Sequence, residues 1–136
     1  MEEIILQLKP GETLFKEGEA TKDLYIIQSG VVRVYSGNIT SKIWPLAIIH
    51  AGGFVGEMSF FDGKPRSATA EAVTDVQVLK LEASRLEKDV KQLPSWVLVM
   101  IRSLADRVRD INNLVKRNQL NDPTLDEEFK KWSSSL

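Results

Sequence analysis

Phe54-Val55-Gly56-Glu57-Met58-Ser59-Phe60-Phe61-Asp62-Gly63-Lys64-Pro65-Arg66-Ser67-Ala68-Thr69-Ala70 gathers the parts of an anion and sugar receptor into one short excursion of the chain. Gly56 lets the backbone come close to a ligand with no Cβ in the way. Glu57 supplies a carboxylate that accepts hydrogen bonds from hydroxyl groups. The residues after it read as one short helical turn, whose free N–H groups face an anion. Arg66 offers a planar, permanently charged donor fork for phosphate oxygens, and Ser67 adds a hydroxyl beside it. Taken alone, each residue also has a plainer reading: Arg66 as a solvated turn residue in a surface ion pair, Glu57 as a first-turn acid favoured by the helix dipole, Ser67 as a strand-start hydroxyl bonded to backbone.

Outward from this stretch, the chain from Glu3 to Leu81 is cut at short intervals by Pro10-Gly11, Glu17-Gly18, Ser29-Gly30, Ser36-Gly37-Asn38, Gly52-Gly53 and Asp62-Gly63. Such punctuation marks a many-stranded β domain. Between the turns lie the β-rich segments Leu24–Ile27, Val31–Tyr35, Lys42–Ile49 and Val76–Leu81. The predicted fold is mainly β with C-terminal helices, a jelly-roll β-barrel (double-stranded β-helix) followed by a long dimerisation helix. Pro45 cannot donate to a ladder, so its strand is expected at an edge or to carry a bulge there.

After Leu81 the pattern turns helical, first over Ala83–Val90 and then in a long run from Pro94-Ser95. Val97, Ile101, Leu104, Val108, Ile111 and Val115 recur at alternating steps of four and three, an a/d seam with Arg102, Asp106, Arg107, Arg109 and Asp110 outside it. The seam predicts a homodimer, with Asn118 on the next seam position to fix register. The same residues could instead pack on the barrel, since Leu98, Met100 and Ala105 form a neighbouring apolar stripe. Asp122-Pro123 ends the helix. In the tail, Thr124 and Glu127 form a capping-box arrangement. Leu125, Phe129 and Trp132 share one face there, to be buried against the domain, the other protomer or a protein partner. The expected division is 1–93 for the barrel, with the ligand stretch at 54–70, 94–121 for the long dimerisation helix, and 122–136 for a short amphipathic tail.

A chain of 136 residues suits one domain with a substantial core. Its 18 basic and 19 acidic residues give a net charge of −1 without a basic cluster, so neither nucleic acid nor an anionic membrane is an expected partner. With no cysteine there is no disulfide framework and no thiolate chemistry. His50 is the single histidine and reads as a structural or solvent-facing residue; no metal cluster can be built around it. Met1-Glu2-Glu3 begins acidic and the apolar Ile4-Ile5 stops at once, which predicts no secretory signal and a cytoplasmic location. The run Trp96–Ile101 is too short to span a membrane.

The 54–70 stretch closely resembles the phosphate-binding cassette of the cyclic-nucleotide-binding domain family, in which Phe-Gly-Glu-Leu-small is followed by a short loop and Pro-Arg-small-Ala-Thr. The matching residues are Phe54, Gly56, Glu57, Met58, Ser59, Pro65, Arg66, Ser67, Ala68 and Thr69. Bacterial catabolite activators and the regulatory subunits of cAMP-dependent protein kinase share this cassette, and the loop length, with Pro before Arg, looks more like the kinase subunits. Leu8 to Glu19 and Leu24 to Val34 also resemble the family's N-terminal half, so the likeness covers about residues 5 to 118.

The resemblance implies a receptor and not an enzyme, with no cofactor. Its ligand would be a purine 3′,5′-cyclic monophosphate, cAMP being favoured and Ser67 being compatible with cGMP. Glu57 would bind the ribose 2′-hydroxyl and Arg66 the cyclic phosphate, within a ligand set of Gly56, Glu57, Met58, Ser59, Arg66, Ser67, Ala68 and Asn112. The long helix would close over the pocket, pair with its copy and carry the signal by population shift. The two helix positions that contact adenine in catabolite activators hold Ile111 and Asn112 here, and Asn112 can still donate to and accept from a base edge. No helix-turn-helix is expected after the helix, and with it no direct transcription control. Two other readings stand beside this one: a ligand-free interaction module docking Phe129 and Trp132 on a partner, and a cyclic-dinucleotide receptor.

Overall fold

The computed structural model describes residues 3–38, 42–118, 127 and 131. Among the described residues, eight strands form two four-stranded antiparallel sheets. In chain order they are β1 (Ile4–Leu8), β2 (Thr13–Phe15), β3 (Leu24–Ser29), β4 (Val32–Asn38), β5 (Lys42–Ile49), β6 (Phe54–Val55), β7 (Thr69–Ala72) and β8 (Val76–Leu81). One sheet runs β1-β8-β3-β6 and the other β2-β7-β4-β5. This is the jelly roll that the turn spacing predicts. Phe15, Tyr25, Ile27, Val32, Val55, Val76 and Val78 fill the space between the sheets.

The period-two alternation of β4 and β7 decides which side chains meet the core. Val32 packs in the core cluster with Ala70 and Ala72, and Val34 packs against it. Arg33 and Glu71, paired across the same two strands, point from the opposite face. There Arg33 Nε donates to Glu71 Oε2 at 2.7 Å, and both residues are buried. A buried pair with this geometry is satisfied as a unit, whereas removing one partner costs about 3–5 kcal/mol.

Pro45 meets both of its expected conditions. β5 is the edge strand of its sheet, and its pairing with β4 passes from Val34↔Ala47 to Tyr35↔Pro45, so that Leu46 is the extra residue of a bulge.

The helices are α1 (Glu57–Asp62), α2 (Ala83–Val90) and α3 (Ser95–Asn118). α3 lies across α1 and reaches the edge of β5. It buries Ala105 and Arg109, with Leu98, Ile101 and Asn112 half-buried, toward its own chain. The seam residues Leu104, Val108 and Ile111 are 52%, 44% and 58% exposed. Met100 does not share a stripe with Leu98 and Ala105 as the sequence suggested, for it is 50% exposed. At about 100° per residue, a position two after Leu98 has turned to the other side of the helix. The side chains of Val115 and Asn118, the helix end at Asp122-Pro123, Thr124 of the capping box and the apolar face of Leu125, Phe129 and Trp132 lie outside the described residues; Glu127 and Lys131 are helical.

Candidate functional site

The site is built where the chain leaves β6 and returns as β7. Gly56 sits at the N-terminus of α1 with φ 95°, and Gly63 closes α1 with φ 72°, its N–H donating to the Ser59 carbonyl at 3.0 Å. Both glycines hold left-handed backbone that side chains resist. At Gly56 a second constraint applies. A Cβ there would lie 2.6 Å from the Asp23 carbonyl oxygen and 3.0 Å from Nη1 of Arg66. The glycine thus makes room for the protein's own arginine, a closer reason than the approach of a ligand.

Arg66 is buried, 2% exposed, and is gripped on all sides. Its Nε donates to Thr21 Oγ1 at 3.1 Å, Nη1 to the Gly56 carbonyl at 3.0 Å and Nη2 to the Asp23 carbonyl at 2.7 Å. The guanidinium lies 4.1 Å from the centre of the Phe15 ring, a stacking contact that favours arginine over lysine. Its backbone is fixed as well, with Arg66 N–H donating to the Glu19 carbonyl and the Arg66 carbonyl accepting from Gly18, each at 2.8 Å. Three of the five guanidinium N–H groups are used in this way, leaving one on each terminal nitrogen for an oxyanion. Burial lowers the Arg66 pKa, while Tyr25, Asp23, Glu19 and Glu57 oppose the shift.

Glu57 opens α1 and faces the same space. Burial pushes its carboxyl above the ordinary carboxylate range, and its own backbone N–H and the Arg66 charge pull the other way. A desolvated carboxylate beside an arginine is a strong acceptor for a hydroxyl donor.

All eight residues singled out from sequence line one cavity of about 170 Å³: Gly56, Glu57, Met58, Ser59, Arg66, Ser67, Ala68 and Asn112. Val34, Leu46 and Ala47 add an apolar wall from the barrel, and Val108 joins Asn112 from α3. Val108, read from sequence as a seam residue, thus lines the cavity and is 44% exposed. His50 is exposed after the end of β5, and among the described residues no group of three or more His, Cys, Asp or Glu could hold a metal ion.

Sequence reasoning missed the residues that hold the arginine and the helix. Thr21 and Asp23 come from the loop before β3, and Asp23 also accepts the Ala83 N–H at 2.9 Å, capping α2. Arg109 of α3, read from sequence as lying outside the predicted seam, faces inward and reaches Asp62 with Nε at 2.6 Å and Nη2 at 3.1 Å. Its position four residues after Ala105 and three before Asn112, on the inward stripe, was the available signal.

The jelly roll therefore carries a cavity between barrel and α3 that is bounded by a buried arginine and a largely desolvated acid. The chain belongs to the cyclic nucleotide-binding domain family, whose description matches residues 5–92. It is 33% identical to the CRP-like cAMP-activated global transcriptional regulator of Mycobacterium tuberculosis over 112 residues, 79% of this chain and 50% of that protein. Among solved structures it resembles the EAL enzyme Bd1971 in its cAMP-bound form, with a TM-score of 0.75, 28% identity and coverage of 85% of this chain and 31% of the other. It also resembles the catabolite activator protein of Thermus thermophilus, with a TM-score of 0.66, 27% identity and coverage of 86% and 55%. The chain thus spans about half the length of the curated relative it matches. Among the described residues no helix is long and apolar enough to cross a membrane.

Proposed function

We propose that this chain is a regulatory receptor module that binds a purine 3′,5′-cyclic monophosphate, cAMP in preference to cGMP, and signals through α3. The observation that carries the reading is the single cavity lined by both Glu57 and Arg66, whose two terminal nitrogens each keep one N–H beyond their protein partners. Glu57 takes the ribose 2′-hydroxyl and Arg66 the cyclic phosphate, with Ser67 and the α1 backbone supporting it. Val108 and Asn112 bring α3 against the base, so ligand and helix position are linked. The module works by binding and not by catalysis, in the cytoplasm, without a cofactor.

Arg66 is the only cation lining the cavity among the described residues. One phosphate fits that provision better than the two of a cyclic dinucleotide. The exposed row Leu104, Val108 and Ile111 supports self-association through α3. It adjoins an apolar groove of about 480 Å³ formed with Phe54, Met58 and Phe61.

Titration calorimetry with cAMP, cGMP and cyclic di-GMP, on wild type and Arg66→Ala, tests the reading. Wild type should bind cAMP most tightly and cyclic di-GMP least. Arg66→Ala should lose about 2–4 kcal/mol of nucleotide affinity, the worth of a charge-assisted contact in a dry site. No heat with either monophosphate at millimolar concentration would sink the proposal.

A further inference from the structure

The peptide unit joining Pro65 to Arg66 is held from both sides. Its N–H donates to the Glu19 carbonyl at 2.8 Å, and its carbonyl accepts from Nη1 of Arg109 at 3.2 Å. The other two nitrogens of Arg109 grip Asp62, the last residue of α1, whose Oδ1 also accepts the Lys64 N–H at 2.9 Å. One guanidinium from α3 therefore spans the loop that leads into Arg66. The pair is withdrawn from water, with side chains 10% and 5% exposed, where a bidentate contact resists competition and holds its geometry. Lys64 and Asp106 make a second link between loop and helix, but at 3.9 Å and more than half exposed it adds little.

An ion pair that merely tied α3 down would need Asp62 alone. The third bond goes to the carbonyl directly before Arg66, where a tilt of the peptide plane swings the guanidinium at the far end of a long side chain. We infer that Arg109 is a positioning residue: it sets the direction in which Arg66 faces the cavity and makes the packing of α3 depend on what Arg66 holds. The inference rests on the reading of the cavity as a nucleotide site. By linkage, if the grip of α3 aligns Arg66 for phosphate, phosphate on Arg66 strengthens the grip of α3 by the same factor.

The test compares wild type with Arg109→Gln, Arg109→Lys and the double variant Asp62→Leu/Arg109→Met. The double variant removes both charges and leaves no buried ion unpaired, so the fold survives. Amide exchange by NMR is followed at Arg66 and along α3, in the free protein and with saturating nucleotide, alongside the dissociation constants for cAMP and cGMP. In the free protein the Arg66 amide should exchange faster in every variant, least in Arg109→Lys. Affinity should fall about tenfold, or 1.4 kcal/mol, in Arg109→Gln and in the double variant, and saturating nucleotide should no longer slow exchange along α3. If the double variant keeps the Arg66 amide as protected as wild type and binds nucleotide within about twofold, with α3 still slowed by ligand, the pair is only structural and the inference is overturned. If wild type binds neither nucleotide while the Arg66 amide still loosens in the variants, the positioning role stands and the nucleotide reading falls.

Discussion

Arg66 donates through Nη1 to the carbonyl oxygen of Gly56, 3.0 Å away, so the first glycine of the cassette and its arginine hold each other in place across ten residues. Gly56→Ala would put a Cβ against that same nitrogen and the Asp23 carbonyl, in left-handed backbone. The strain alone is worth about 1–3 kcal/mol, and the arginine must shift as well. Urea unfolding should show the lost stability and titration a weaker nucleotide complex; wild-type values in both would contradict the packing described.

Glu57 makes binding sensitive to acid. If a sugar hydroxyl donates to the ionised carboxylate, as proposed, the pKa in the complex will lie below that of the free protein, which burial has raised. Affinity is complete above the free-protein pKa and declines as pH falls toward the bound one. The decline therefore starts at a higher pH than an ordinary glutamate, near about 4.3, would give. In the free protein the sign is opposite: Glu57 favours folding most below the ordinary carboxylate range, and that contribution is lost as pH rises through the raised pKa. Glu57→Gln should abolish the acid limb of the binding curve. Glu57→Ala should cost the ribose ligand about 1–3 kcal/mol and a 2′-deoxy analogue little; equal losses would remove the sugar assignment.

The seam on α3 is tested best at Leu104, which is 52% exposed and does not line the cavity. In a monomer Leu104→Glu should stay within about 0.5 kcal/mol of wild-type stability. Across a two-fold axis it sets like charges face to face without partners. Sedimentation should show a wild-type dimer and a variant monomer at tens of micromolar. A wild-type monomer would end the dimer proposal.

Asn112 is half-buried at the α3 side of the cavity, where its amide can read a base edge. Asn112→Ala should change the ratio of cAMP to cGMP affinity by about 1 kcal/mol. Equal loss for both nucleotides, or none for either, would pass selectivity to Ser67 or to the barrel wall.

The cassette was legible because its chemistry is local: Gly56, Glu57, Arg66 and Ser67 lie within a dozen residues, and their spacing survives without knowledge of the fold. Pro45 was legible for a similar reason, since a missing N–H restricts a strand wherever it lies. The partners of Arg66 were not, because Thr21 and Asp23 are brought to it by sheet order, which no short pattern encodes. Arg109 shows the limit most clearly. Reading α3 for apolar periodicity placed its charged residues outside the predicted seam without assigning them a partner, whereas the inward face carries a buried arginine matched by Asp62. Met100 was assigned to the wrong stripe because apolar character alone does not distinguish a side facing the barrel from one facing away.

Thr21 and Asp23 lie 45 and 43 residues from the arginine they hold, which has a kinetic consequence. Such contacts form only after long loops have closed, and closure must precede any reward from the contacts. The Thr21 and Asp23 contacts that hold the Arg66 guanidinium are therefore expected to form late, although the Gly56 contact is closer in sequence. Nucleotide should then bind too late to assist the folding transition state, leaving the refolding rate nearly unchanged while slowing unfolding. Stopped-flow refolding and unfolding at several nucleotide concentrations would separate the two limbs. If the proposed function holds, a growing polypeptide would remain deaf to the messenger until residues 54–70 had emerged and closed on the strands made long before them.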